Sequence, residues 1–153
     1  MNNLIYVGSD HAGYCFKLAF LDQIKKKFPE MVWQDVGCHS EGSCDYPEFA
    51  EKVADSVVKN SARGILICGS GIGVAIAANK IPGIRAVAVW DTISAKLSKE
   101  HNNTNVITFG ARLITLETAV EAASSWLKTE FAGGRHQRRI DLITALEKKH
   151  GAS

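Results

Sequence analysis

Five short apolar runs, each handing over to a stretch with helical periodicity, limit what this chain can become. Residues 4–7 read as a strand, and Tyr14, Leu18, Leu21, Ile24 and Phe28 then recur at helical spacing until Pro29 ends the pattern. Residues 31–36 form a second strand closed by Gly37, and the polar loop CHSEGSCDYP follows it. Pro47 suits the first turn of the next helix, whose Phe49, Val53 and Val57 share one face. Residues 64–68 and 85–90 are near-continuous apolar runs, the pattern of strands covered on both faces in a parallel sheet. Asp91 or Thr92 can cap the helix after them. Residues 106–109 make a short fifth strand, and helices from about Thr115 and about Arg135 complete the chain. Trp33, Trp90 and Trp126 fall inside apolar patterns and are expected in the core.

This order predicts an α/β protein: one three-layer α/β/α, Rossmann-like domain over residues 1–153 with a five-stranded, mostly parallel sheet. The bulk numbers agree, with 46% hydrophobic and 22% charged residues among 153. A net charge of +2 gives no pull toward nucleic acid. No stretch approaches the ~18 apolar residues of a membrane span, and the first residues enter a strand without a leader pattern. Cys15, Cys38, Cys44 and Cys68 are too sparse for a disulfide scaffold. A reducing, cytoplasmic setting is therefore expected, with neither a membrane nor a nucleic acid as partner.

In open parallel sheets, ligands bind beyond the carboxyl ends of the strands. That rule singles out Ser9-Asp10-His11, the loop from Gly37, residues 68–73, Asp91, and Gly110-Ala111-Arg112. The stretch LICGSGIGVAIAANK is the most informative of these. A dinucleotide fingerprint fits it poorly: the glycines are spaced G-x-G-x-G, one short of G-x-G-x-x-G, they follow the third strand, and the next strand ends Val89-Trp90-Asp91. Nor is it a Walker loop, because Val74 and Ala75 stand where Lys and Ser/Thr belong. What remains is a glycine loop of backbone N–H groups at a helix start, fit for an anion or for nothing at all. Cys68 directly before it shifts the balance toward chemistry. A thiolate is favoured at a helix N-terminus, and facing N–H donors it can take a proton from carbon while they hold the developing oxyanion.

Other groups are ambiguous alone. Asp10 reads equally as a helix cap with His11 on the surface, and His101 as a helix C-terminal histidine favoured by the dipole. Arg135 and Arg139 share a helix face. With Arg112 they could grip a phosphate, or they could form a solvated basic face. Gly133-Gly134 before Arg135 would permit a close approach. Cys38, His39 and Cys44 match no zinc spacing and lack a fourth ligand, so no metal is expected there.

Taken together, GSDHAG, DYPEFA, ICGSGIGVAIAANK, HNNTNVITFGAR and GGRHQRR resemble the type B ribose-5-phosphate isomerases, from the first strand to the last helix. The resemblance implies a metal-independent, cofactor-free α/β/α enzyme of the non-oxidative pentose phosphate pathway. It would interconvert ribose 5-phosphate and ribulose 5-phosphate through an enediolate. It implies Cys68 as the base between C1 and C2, and His101 in opening the furanose ring. Asp10 and His11 would contact substrate, Gly69, Ser70, Gly71, Ile72 and Gly73 would form the anion-holding loop, and Ser70 could donate to a substrate oxygen. Asn102, Arg112, Arg135 and Arg139 would complete the binding set, the arginines chiefly on phosphate. One branch of the family uses a glutamate just past the loop; here that position is Val74, so the cysteine branch fits. Relatives act on six-carbon sugar phosphates, and a sensing module that binds phosphosugar or nucleotide without turnover is the competing class.

Topology adds an expectation of its own. Cys68 ends a strand, whereas His101 precedes one after a crossover helix, which puts the two at opposite edges of a right-handed parallel sheet. His101 is then expected to reach the site of a neighbouring subunit in a homo-oligomer, a dimer or tetramer, with the helix at about 135–150 packing on that partner.

Overall fold

The computed structural model describes residues 2–151. Strands and helices alternate as β1 (Leu4–Ser9), α1 (Tyr14–Lys27), β2 (Val32–Asp35), α2 (Tyr46–Asn60), β3 (Arg63–Cys68) and α3 (Ile72–Ala78). They continue as β4 (Ala86–Ala88), α4 (Thr92–Asn102), β5 (Val106–Gly110), α5 (Leu116–Lys128) and α6 (Arg135–His150). The sheet runs β2-β1-β3-β5-β4, and every pairing in it is parallel.

Parallel neighbours must be joined by crossovers, and these turn right-handed. The chain steps outward from β1 to β2, returns past β1 to β3, passes β5 to reach β4, then steps back to β5. Each reversal moves the crossover helix to the other face. Hence α1, α4 and α5 cover one side of the sheet and α2 and α3 the other. Strand alternation supplies both cores: Ile65 and Ile67 of β3 join Phe20, Phe109 and Trp126, while Leu66 and Cys68 join Val53, Val57 and Val74. Asp91 caps α4 by accepting from the Ser94 amide at 2.7 Å, and Pro47 sits in the first turn of α2.

Three details differ from the pattern in the sequence. The buried stripe of α1 is Lys17, Phe20, Leu21 and Ile24, and Leu18 is 46% exposed. Periodicity passes over a lysine, yet Lys17 is fully buried because its amine has partners: it donates to Asp35 Oδ1 and to the Cys38 carbonyl, both at 2.6 Å. Trp90 is the second departure. It is 42% exposed because the fourth strand is a three-residue sheet edge, half-buried, and the chain has already left it. Trp126 is wholly buried and donates to Thr104 Oγ1 at 2.9 Å, whereas Trp33 is only partly covered. Third, α6 stands off the globule. It leans on α4 and buries Ile140, and its Leu142, Ile143 and Leu146 stay exposed.

Lys99 on α4 is 3% exposed and donates to Asn103 Oδ1 at 2.9 Å and to the Thr104 carbonyl at 3.5 Å. Burial, with the charges of Arg63 and Arg85 behind it, pushes its ammonium from 10.5 down to about 8. Unfolding therefore takes up a proton between those values, so this group adds stability as pH rises from about 8 to 10.5 and weakens the fold below 8. Lys99→Met is expected to raise the urea midpoint at pH 7 and to flatten its alkaline rise in equilibrium unfolding at several pH values.

Candidate active site

A cleft of about 560 Å³ opens at the carboxyl ends of the strands, lined by Asp10, His11, Ala12, Tyr46, Cys68, Gly69, Ser70, Ile72, Gly73, Arg112 and Leu113. Its place follows from the topology. The chain leaves β1 toward one face and neighbouring β3 toward the other, which parts the loops and leaves a crevice between them.

Cys68 closes β3 and is 5% exposed. The next residues turn back so tightly that the Gly71 amide donates to Cys68 Sγ at 3.1 Å. Gly71 reaches this geometry at φ 77°, and a Cβ there would stand 2.8 Å from the carbonyl carbon of Phe109. The Gly71 carbonyl accepts from buried Thr108 Oγ1, which fastens the turn to β5. Ser70 Oγ accepts from the Ile72 amide at 3.2 Å, so two of the loop's N–H groups are already engaged inside the loop. Gly73 leaves room for the ring of Tyr46, which a Cβ there would meet at 2.7 Å.

The opposite wall comes from the turn after β1. Asp10 is buried and caps the turn by accepting from the Gly13 amide at 3.0 Å, so it serves as a cap and as a cleft residue at once. His11 is partly buried, and its Nδ1 accepts from the Cys44 amide at 3.2 Å. With Nδ1 an acceptor, the neutral ring carries its proton on Nε2 and is a donor there. The Arg112 amide donates to the Gly69 carbonyl at 3.0 Å, and its guanidinium lies against Gly69.

The loop of Cys38, His39 and Cys44 gains a structural account. The Cys38 carbonyl holds the Lys17 amine, and its thiol donates to the Ser40 carbonyl at 3.3 Å. Cys44 Sγ lies 3.8 Å from His11 Nδ1, and burial pushes this thiol upward from its ordinary value. Cys15 lies outside the cleft, donates to Glu41 Oε1 at 2.8 Å and is pushed up chiefly by that bond. Among the described residues no three His, Cys, Asp or Glu side chains cluster as a metal site would require.

The remaining candidates are elsewhere. His101 and Asn102 form the last turn of α4, where the Asn102 carbonyl accepts from Arg85 ahead of β4, at the amino end of the strands. Arg135 and Arg139 are exposed on α6, and His136 between them stacks on His101. Arg112 therefore does not join Arg135 and Arg139 within one chain. Gly133 and Gly134 turn the chain into α6 at φ angles of 66° and 54°, and no atom of this chain lies within 4 Å of where their Cβ atoms would be. Tyr46, Lys17 and His136 were not singled out by the sequence pattern.

The ribose/galactose isomerase family matches residues 5–143. The chain belongs to that family. Within it, ribose-5-phosphate isomerase B of Escherichia coli K12 is 42% identical over 146 residues, spanning 95% of this chain and 97% of that protein. A structure of ribose-5-phosphate isomerase B from Clostridium thermocellum superposes with a TM-score of 0.93 at 44% identity, covering 97% of this chain and 99% of that one. The Mycoplasma genitalium enzyme, solved with bound ribulose-5-phosphate, superposes with a TM-score of 0.89 at 41% identity over 95% and 97% of the two chains.

The tight turn at Cys68 gives this site a direct structural test. Gly71→Ala combines a left-handed φ with a backbone collision and is expected to lower stability by about 1–3 kcal/mol, read from urea unfolding.

Proposed function

We propose that the chain is an aldose–ketose isomerase that interconverts D-ribose 5-phosphate and D-ribulose 5-phosphate through an enediolate. The observation that carries this reading is Cys68, held by the Gly71 amide on the wall of a cleft that also presents Asp10, His11, Ser70 and Arg112. A relative named ribose-5-phosphate isomerase B and a neighbour solved with bound ribulose-5-phosphate support the same substrate.

A proton α to a carbonyl is weakly acidic, so a base and an oxyanion stabiliser must act together. Cys68 takes the C2 proton of the open aldose and returns it to C1. The electron pair resides meanwhile in the enediolate, whose oxygens meet donors from the glycine loop, Ser70 and His11 Nε2. Carbon is reduced at C1 and oxidised at C2 within one molecule, so the isomerisation needs no nicotinamide. A positioned base is worth ~10²–10⁴-fold and an oxyanion donor ~10²–10³-fold. The phosphate, gripped by arginines away from the reacting carbons, supplies binding energy that orients them.

The separation of the two residue groups gives this reading its quaternary form. His101, Asn102, Arg135 and Arg139 reach the cleft of a second copy, where His101 of the partner subunit opens the furanose ring. The exposed Leu142, Ile143 and Leu146 of α6 are a surface such packing would cover. No helix among the described residues is long and apolar enough to cross a membrane, and the cysteines there are free thiols, which suits a reducing cytoplasm.

Protein stripped with a chelator is expected to turn over ribose 5-phosphate, and no turnover would overturn the proposal. Cys68→Ala should lose ~10²–10⁴-fold in kcat while still binding ribulose 5-phosphate. Mixing inactive Cys68→Ala and His101→Ala proteins should restore activity once subunits exchange, because mixed dimers hold one intact site. No recovery after proven exchange would exclude the shared arrangement.

A further inference from the structure

Two histidines meet in the second group of residues, and the reading above uses one of them. The rings of His101 and His136 are stacked, with centroids 4.3 Å apart and 12° between their planes. The contact is built from the main chain. Gly133 and Gly134 reverse its direction, the Ala132 amide donates to the Glu100 carbonyl at 3.0 Å, and the His136 amide donates to the Gly133 carbonyl at 3.0 Å. The turn is thereby tied to the last turn of α4.

The helix ends that meet here have opposite polarity. His101 is next to last in α4 and His136 is second in α6. A helix C-terminus favours a cation and an N-terminus disfavours one. The flanking charges act in the same direction on His136: partial desolvation, then His101, Arg135 and Arg139, push its imidazole below its usual value, against a smaller opposing pull from Glu100. Glu100 also faces Lys96, at 3.9 Å.

We infer that His136 is a positioning residue for His101: its ring, stacked on the His101 imidazole and anchored by the turn at Gly133 and Gly134, holds that imidazole in the one orientation from which it reaches the substrate. This rests on the assignment of His101 to ring opening. In that step the C1–O4 bond breaks and His101 gives its proton to O4. The O1 proton leaves to solvent as the C1 carbonyl forms, and solvent recharges the imidazole. An imidazole free to turn about its side-chain bonds would face O4 correctly only part of the time, and the stacked ring removes that freedom.

Two reactions separate this role from a general one. Ribose 5-phosphate must be opened before it enolises. Ribulose 5-phosphate is acyclic, so exchange of its C1 proton with D₂O needs Cys68 and no ring opening. His136→Ala is expected to lower kcat on ribose 5-phosphate by about 10- to 100-fold with KM little changed, and to leave the exchange rate at the wild-type level. His136→Phe restores a flat ring without a proton site. It should recover most of kcat. The inference is overturned if both variants keep the wild-type kcat, if His136→Phe recovers none of what His136→Ala loses, or if exchange slows in step with ring opening. Should His101→Ala itself retain full turnover of ribose 5-phosphate, the ring-opening assignment falls instead.

Discussion

The ion pair between Lys17 and Asp35 organises the edge of the sheet where the cleft lies. Lys17 is completely buried, an expensive place for a charge unless its amine is paired and hydrogen-bonded. Two short bonds, to Asp35 Oδ1 and the Cys38 carbonyl, join α1 to the end of β2 and to the loop beyond it. Asp35 in turn accepts from the Gly37 amide, and residues 37 and 38 exchange main-chain bonds with Ser9. The loop is therefore pinned beside the end of β1, and from there the Cys44 amide reaches His11. The tautomer of a cleft histidine thus depends on a lysine on the core face of α1. Removing one member of such a pair leaves the other charge desolvated, which is why the site and the fold are coupled here.

The fold was legible because its periods are simple. Strand-like runs alternating with helical stripes leave few architectures, and ligand clefts in such sheets follow the strand ends, so Asp10, Cys68 and Arg112 could be placed before any coordinates. The split between Cys68 and His101 was legible for the same reason, since a crossover helix reverses the edge at which a residue emerges. What escaped was long-range or chemically disguised. Lys17 reads as polar in any hydrophobic count and declares its burial only through Asp35. Trp90 continues an apolar run that, as a sheet edge, has no second neighbour to cover it. The bond from Cys44 to His11 spans 33 residues, and no local pattern carries such a contact. Tyr46 looks like the opening of a helix; only the bare Gly73 beneath its ring shows that space was kept for it.

The two residue groups also differ in physical character. The cleft at Cys68 is closely packed, its turn tied to β5 by Thr108, with Gly71 against the backbone of Phe109 and Gly110 and Gly73 against the ring of Tyr46. The group on α4 and α6 is cationic and exposed, held by one turn and a ring stack. A reaction that needs a fixed base and an accommodating phosphate grip is well served by that division.

The donor to the Cys68 sulfur is a main-chain amide, and this has a consequence for how the protein can vary. No codon change can delete that N–H except one to proline. Inheritance acts on it only indirectly, through whether the loop keeps its shape. Side chains at Ser70, Ile72 or Val74 can drift while the bond persists, whereas a single methyl group at Gly71 would move it. The sulfur's environment is encoded in the absence of atoms, so a comparison of side chains alone would overlook it.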